Sequence, residues 1–238
     1  MSSQTIQIEI SARGILKFLL VSITVLTILG IIDYYVHYGL GHEYGFGLIR
    51  LFDLDEEANI PTFFQVGQLF LVSLLAYGIA ATKKVEKNSQ FLHWMGLSAL
   101  FFYVAVDEGC SIHEILNYPL RHFFGFSGFF YYGWLTVGFF VSLFLAMAYA
   151  RFVWSLPRKT KVGFVVSAFI FLFGAVVMEG VGGILETEGL RPSLIYGLVT
   201  DLEETLEMLG IFCFVRTLLD YMTASGHTEV LITLGKKK

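Results

Sequence analysis

The stretch FFYVAVDEGCSIHEIL, Phe101 to Leu116, begins as a hydrophobic run of membrane type and then carries Asp107, Glu108, His113 and Glu114. A charged side chain at a bilayer centre costs roughly 2.5 to 3.5 kcal/mol, so four such groups facing lipid would cancel much of the insertion energy of the segment. They are therefore expected to face protein, water or a metal. Two other apolar stretches carry matching charge: Glu179 in VVMEGVGG, and Asp201, Glu203, Glu204 and Glu207 in TDLEETLEMLG. The pattern is that of a polar site inside a helical membrane bundle.

Composition agrees. Of the 238 residues 55% are hydrophobic and only 15% charged, with a mean hydropathy of +0.68, too apolar for an ordinary soluble domain. A net charge of −4 argues against nucleic acid as a partner. Cys110 and Cys213 both lie in apolar runs and offer neither a CxxC spacing nor a disulfide framework. The apolar run after Arg13 and Lys17 is too long for a cleaved signal peptide and is read as a retained first helix.

About 20 mostly apolar residues cross the hydrocarbon core. Six segments meet that length: 15–37, 61–82, 91–116, 129–154, 162–185 and 196–221, followed by a short tail over 222–238. The expected fold is all-α, one polytopic membrane domain built as a six-transmembrane-helix bundle with the lipid bilayer as its principal partner. Pro61 suits a helix start, with Asn59 or Thr62 as cap. Basic residues set the orientation. Arg13, Lys17, Lys83, Lys84, Lys87, Arg151, Arg158, Lys159, Lys161 and Lys236 to Lys238 fall on one side, and only Arg50, Arg121 and Arg191 in the alternate loops. Both termini are then cytoplasmic (N-in/C-in), in a bacterial inner membrane.

The acidic residues are distributed the other way. Glu9, Glu86, Asp220 and Glu229 lie on the inner side, and the other sixteen lie in outer loops or outer halves of helices. At 1.5 Å per residue, Asp107 lies about 24 Å and Glu114 about 35 Å up the third helix, and Glu179 about 26 Å up the fifth. Glu203 to Glu207 lie about 10 to 17 Å below the outer end of the sixth. Three helices thus deliver carboxylates to one depth, with Asp33, His37, Gln65 and Gln68 as lining groups. In a continuous helix Asp107, Ser111 and Glu114 share a stripe, as do Glu203, Glu207 and Gly210, and Ala175, Glu179 and Gly183. The aromatic run Phe129, Phe130, Tyr131, Tyr132 reads as lipid-facing, Arg216 and Asp220 as an interfacial pair, and His93 and His227 as incidental. The loop 38–60, with His42, Glu43, Asp53, Asp55, Glu56 and Glu57, reads either as an interfacial amphipathic segment covering the mouth of the site or as an irregular loop.

Carboxylates gathered this closely need a counter-charge. A divalent metal supplies it most economically, with Asp107, Glu114, Glu179, Glu203, Glu204 and Glu207 as ligands and Glu108 or His113 as general base. Oxygen-rich, thiol-free ligation favours Mn, Fe, Ca or Mg, with Zn also admissible. The chain contains no HExxH, HxxxH or ExxH, so neither a zincin nor a four-helix di-iron pattern is matched. The leading expectation is metal-assisted hydrolysis of a membrane-borne substrate. The alternatives are a cation- or proton-coupled transporter, or a structural subunit of a homo-oligomer or larger membrane complex.

NIPTFF opening the second helix, AVDEGCSIHE in the third, SLPRKTK after the fourth, MEGVGG in the fifth and TDLEETLEMLGIF in the sixth together resemble a family of uncharacterised bacterial polytopic membrane proteins. Some of its members carry a transporter label. The resemblance runs from about Asn59 to Tyr221, with DE-x4-HE and EE-x2-E as its distinctive elements. It supports the choice of residues and implies no reaction.

Overall fold

A computed structural model describes residues 11–42 and 49–226. Glu9, Glu43, His227, Glu229 and Lys236 to Lys238 lie outside the described residues, as does most of the expected tail. Among the described residues there is no strand.

The chain opens with α1 (Ala12–Tyr34), capped where Ser11 Oγ accepts from Gly14 N at 3.0 Å, and runs into a π-helical turn over Tyr35–Gly39. The short α2 (Ile49–Phe52) leads to α3 (Ile60–Val85). Here Asn59 is the cap: its Oδ1 accepts from Thr62 N at 3.1 Å, with Pro61 in the first turn where its missing N–H costs nothing. α4 (Phe91–Cys110) follows, then a 3-10 turn (His113–Leu116) and α5 (Asn117–Phe124). After a second 3-10 turn (Gly128–Phe130) comes α6 (Trp134–Ser155). α7 (Arg158–Leu172) and α8 (Glu179–Thr187) are joined without a break by a π-helical segment (Phe173–Met178), and α9 (Leu194–Ala224) closes the fold.

The expected helix over 91–116 is corrected. It ends at Cys110, where Ser111 takes a left-handed conformation (φ 50°) and the backbone N–H groups of Ser111 and Ile112 both turn back to Asp107 O. The chain then departs at 69° to α4. Asp107 and Glu114 therefore do not share one helical stripe.

Among the described residues four helical stretches are long and apolar enough to cross a membrane: Ala12–Gly39, Ile60–Val85, Trp134–Ser155 and Arg158–Thr187. The bent pair Phe91–Cys110 with His113–Phe124 passes the same test only when its two helices are taken together, as a broken span or a re-entrant loop. α9 has the length, 31 residues, but carries Asp201, Glu203, Glu204 and Glu207 in its first half. Large apolar side chains such as Phe18, Phe63, Phe144 and Phe169 lie exposed on the outside, the surface expected of helices against lipid rather than water.

α9 is the central post, packed against α1, α3, α7 and α8, while α3 lies along α4. α6 stands apart, with 6% of its apolar window buried against 44% for α3. The main core lies toward the 86–90 turn, where Trp94 is fully buried with its ring 5.1 Å from Tyr221 and 5.2 Å from Phe152. Between helices in lipid such contacts hold by close packing rather than by water exclusion. Glycines set the approach at the opposite end. A Cβ on Gly174 would come within 2.8 Å of Glu203 O and 3.0 Å of Glu207 Cγ. One at Gly183 would come within 2.9 Å of Gly128 O.

Candidate functional site

The π-helical segment before Glu179 and the break after Cys110 do related work. Each interrupts the ordinary helical ladder beside an acidic residue, a distortion that commonly marks functional positions. At Gly174 the widened segment presses against α9, which brings Glu179 of α8 to the face carrying Glu203 and Glu207. Glu179 lies within electrostatic range of Glu108 and Glu114, and Glu203 within range of Glu179, Glu207 and Glu108. Glu204 is within range of Glu207, Glu108 and Glu203, and Glu207 within range of Glu108 and Glu179. Glu108, Glu179, Glu203, Glu204 and Glu207 thus form one group drawn from α4, α8 and α9. Glu203 and Glu207 are buried, and the other three are half-buried.

The hydrogen bonds described for these five come from neutral donors. Gln65 Nε2 donates to Glu207 Oε2 at 2.9 Å, and Trp134 Nε1 to Glu179 Oε1 at 2.7 Å. Gln65 Oε1 and both polar atoms of Gln68 are buried without a partner. Trp134, at the start of α6, is a site residue that no pattern of charge or spacing singles out. Its backbone N–H is held by Asn117 Oδ1 at 3.1 Å, which fixes the helix start beside the glutamates.

Asp107 and His113 meet across the break, with Asp107 Oδ2 and His113 Nδ1 2.9 Å apart. The imidazole lies edge-on to Trp134, 4.8 Å between centroids. One ring therefore contacts both the pair and, through its indole N–H, Glu179. Asp107 Oδ1 is buried without a partner. Glu114 is exposed, on the rim of the group. Among the described residues, no three His, Cys, Asp or Glu side chains converge within coordinating range of one point. The donor set nevertheless suits a hard cation that keeps part of its water shell, since it consists of carboxylates joined by two glutamines.

The loop over this end carries its own acidic groups. Burial pushes the Asp55 carboxyl up to about 6, against the pull of Arg191, and burial raises Asp53 against a hydrogen bond from the Asp55 backbone. Glu57, exposed as a whole residue, is raised by partial burial of its carboxyl and by Glu114, with His113 and Ser111 opposing. Asp55 is tied down, its Oδ2 2.8 Å from Arg191 Nη2 and its Oδ1 accepting from Tyr196 Oη at 3.2 Å. Arg191 also reaches Glu186, at 3.4 Å.

Of the aromatic run 129–132 Phe130 is exposed, as expected of a lipid-facing ring, but the other three turn inward. Phe129 covers Gly180, Tyr131 donates to Glu186 Oε1 at 3.3 Å under the Arg121 guanidinium, and the Tyr132 and Tyr196 hydroxyls are 2.9 Å apart. Arg216 and Asp220 do pair on the surface, 3.9 Å apart. His93 stacks on Phe152, away from the acidic end.

No curated protein and no solved structure matches the chain. A family model described as a domain of unknown function (DUF8692) matches residues 18–222. By that match, which spans most of its length, the chain belongs to the DUF8692 family.

Proposed function

We propose that this is a six-span integral membrane protein of the bacterial plasma membrane, both ends cytoplasmic, that binds a divalent cation among its five clustered glutamates and hydrolyses a membrane-borne substrate beside them. The bias of Lys and Arg between alternate loops supports the orientation. α9 serves as the sixth span, about 46 Å long at 1.5 Å per residue. Its acidic half meets α1 at Thr27 and Gly30, the π-helical segment at Gly174, and Gln65 of α3.

The observation that carries the reading is the assembly of Glu108, Glu179, Glu203, Glu204 and Glu207 in mutual electrostatic range, with hydrogen bonds from Gln65 and Trp134 alone described for them. Buried like charges without compensation are strongly disfavoured, and intramembrane acids are retained where they serve a site. A bound divalent cation would supply the compensating charge and lower the pKa of a water. Beside it, His113 with Nδ1–H donating to Asp107 Oδ2 has Nε2 left to accept a proton, and Trp134 fixes the ring plane. On this reading Asp107 orients the general base instead of binding the metal.

The test is elemental analysis of the purified chain, wild type against Glu203→Gln and Glu207→Gln. The wild type is expected to hold one equivalent of metal more than either variant; equal metal throughout, or none in the wild type, refutes the site. Product release from vesicles of bacterial lipid extract is expected to vanish in His113→Ala while the metal remains.

A second reading, cation- or proton-coupled transport, is favoured by the broken α4 and the π-helical segment at Glu179, since discontinuous helices line ion sites in transporters. Metal or proton uptake into proteoliposomes that persists in His113→Ala would select it.

A further inference from the structure

α9 presents two faces. Glu203 and Glu207 turn toward α8, whereas Asp201, Thr205 and Met208 turn toward α1. Thr205 Oγ1 lies 2.8 Å from Thr27 Oγ1, and Met208 packs with Ile23, Leu26 and Leu54. On this second face Asp201 is 2% exposed, and neither of its carboxylate oxygens has a partner. Its Oδ1 lies over α1 at Gly30, close enough that a Cβ there would come within 2.8 Å. Asp33 is one turn further along α1 on the same side. It is 7% exposed, and its Oδ2 is also without a partner.

Asp53 of the overlying loop is within electrostatic range of both Asp33 and Asp201. The Tyr34 hydroxyl donates to it, and His37 lies within the same range. His37 Nδ1 is buried without a partner, in the π-helical turn that follows Asp33. Arg191, which reaches the overlying loop, is occupied by Asp55 and Glu186.

We infer that Asp33 and Asp201, with Asp53 above them, bind a hard divalent cation, Ca2+ or Mg2+, that ties the loop at 53–59 to α1 and α9. Two buried carboxylates from different helices with three orphaned oxygens are the ligand set of an ion that keeps part of its water. No three such side chains converge on one point among the described residues, so Asp33 and Asp201 are the direct ligands and Asp53 reaches the ion through its water. The site is separate from the glutamate group, because it uses the opposite face of α9 and shares no side chain with it.

Equilibrium dialysis of the full purified chain in detergent, stripped with chelator, against radioactive Ca2+ and then against Mg2+ tests it. Wild type and Glu207→Gln are expected to retain a binding class that Asp201→Asn and Asp33→Asn each weaken at least tenfold. The cation is expected to slow Glu-C cleavage at Glu56 and Glu57 several-fold in wild type and to leave the rate in Asp33→Asn unchanged. Should Asp201→Asn fail to fold, Asp33→Asn carries the comparison. Unchanged binding in the aspartate variants, no Ca2+ or Mg2+ binding at millimolar concentration in wild type, or loss confined to Glu207→Gln overturns the assignment.

Discussion

Around Trp94 the helices meet through rings and aliphatic side chains, whereas around Glu207 the same helices, α3, α4, α7 and α9, meet or end among carboxylates, amides and glycines. Phe152, Phe164, Phe214 and Tyr221 fill the first region; its ring contacts run from 4.7 Å between Phe164 and Phe214 upward. The second region instead collects its distortions: the break at Ser111, the π-helical segment at 173–178 and the loop over 53–59. The contrast is a division of labour: the apolar end supplies close packing, and the acidic end holds the strained positions, as the proposed cation site would require.

Substitutions test that division in both directions. Trp94→Ala, which empties the most buried large side chain, is expected to cost about 3 to 5 kcal/mol in reversible unfolding from mixed micelles; a loss near that of a surface change would remove the apolar end as the anchor. Gly174→Ala forces a methyl against the backbone of α9 and is expected to cost about 1 to 3 kcal/mol, together with loss of metal binding at the glutamates. Ser111→Val, in a left-handed position, is expected to cost about 1 to 2 kcal/mol, and Ser111→Gly to cost nothing or to stabilise. If both are equal to wild type, the break is not set by that residue.

Asp55 gives a pH signature. Its carboxyl stands at about 6 in the folded protein against an ordinary 3.8, so the folded state holds the proton more tightly than the unfolded one. The corresponding stability is fully present below pH 3.8 and is lost as pH rises through about 6. The melting temperature is therefore expected to fall over that window, less so in Asp55→Asn, and a rise over it would reverse the assignment. The smallest stability effect is expected from Glu207→Gln. The amide keeps the volume and can donate to the orphaned Gln65 Oε1, so stability stays within about 0.5 kcal/mol of wild type or increases. A large loss there would mean that the acidic end also anchors the fold.

Much of this was legible in the residues. Apolar runs of spanning length, Asn59 and Pro61 at a helix start, and carboxylates on three segments at one depth all follow from one-dimensional patterning. The break at 110–112 was not legible, because FFYVAVDEGCSIHEIL contains no proline and its apolar spacing continues through the bend. Nor was the role of Tyr131 and Tyr132, since an aromatic run at a helix start reads the same whether it meets lipid or a neighbouring helix.

The sequence alone determined that the chain is helical, that its helices are apolar enough for a membrane, and that its acidic residues gather toward one end, because hydrophobic runs and charge positions are properties of the chain itself. Only the tertiary structure decided that Glu108 joins Glu179, Glu203, Glu204 and Glu207, that Asp107 turns to His113, and that Asp201 faces α1. Which side chains meet depends on the rotation of each helix and on where it bends, and those are settled by packing at Gly30, Gly174 and Gly183 rather than by any local preference.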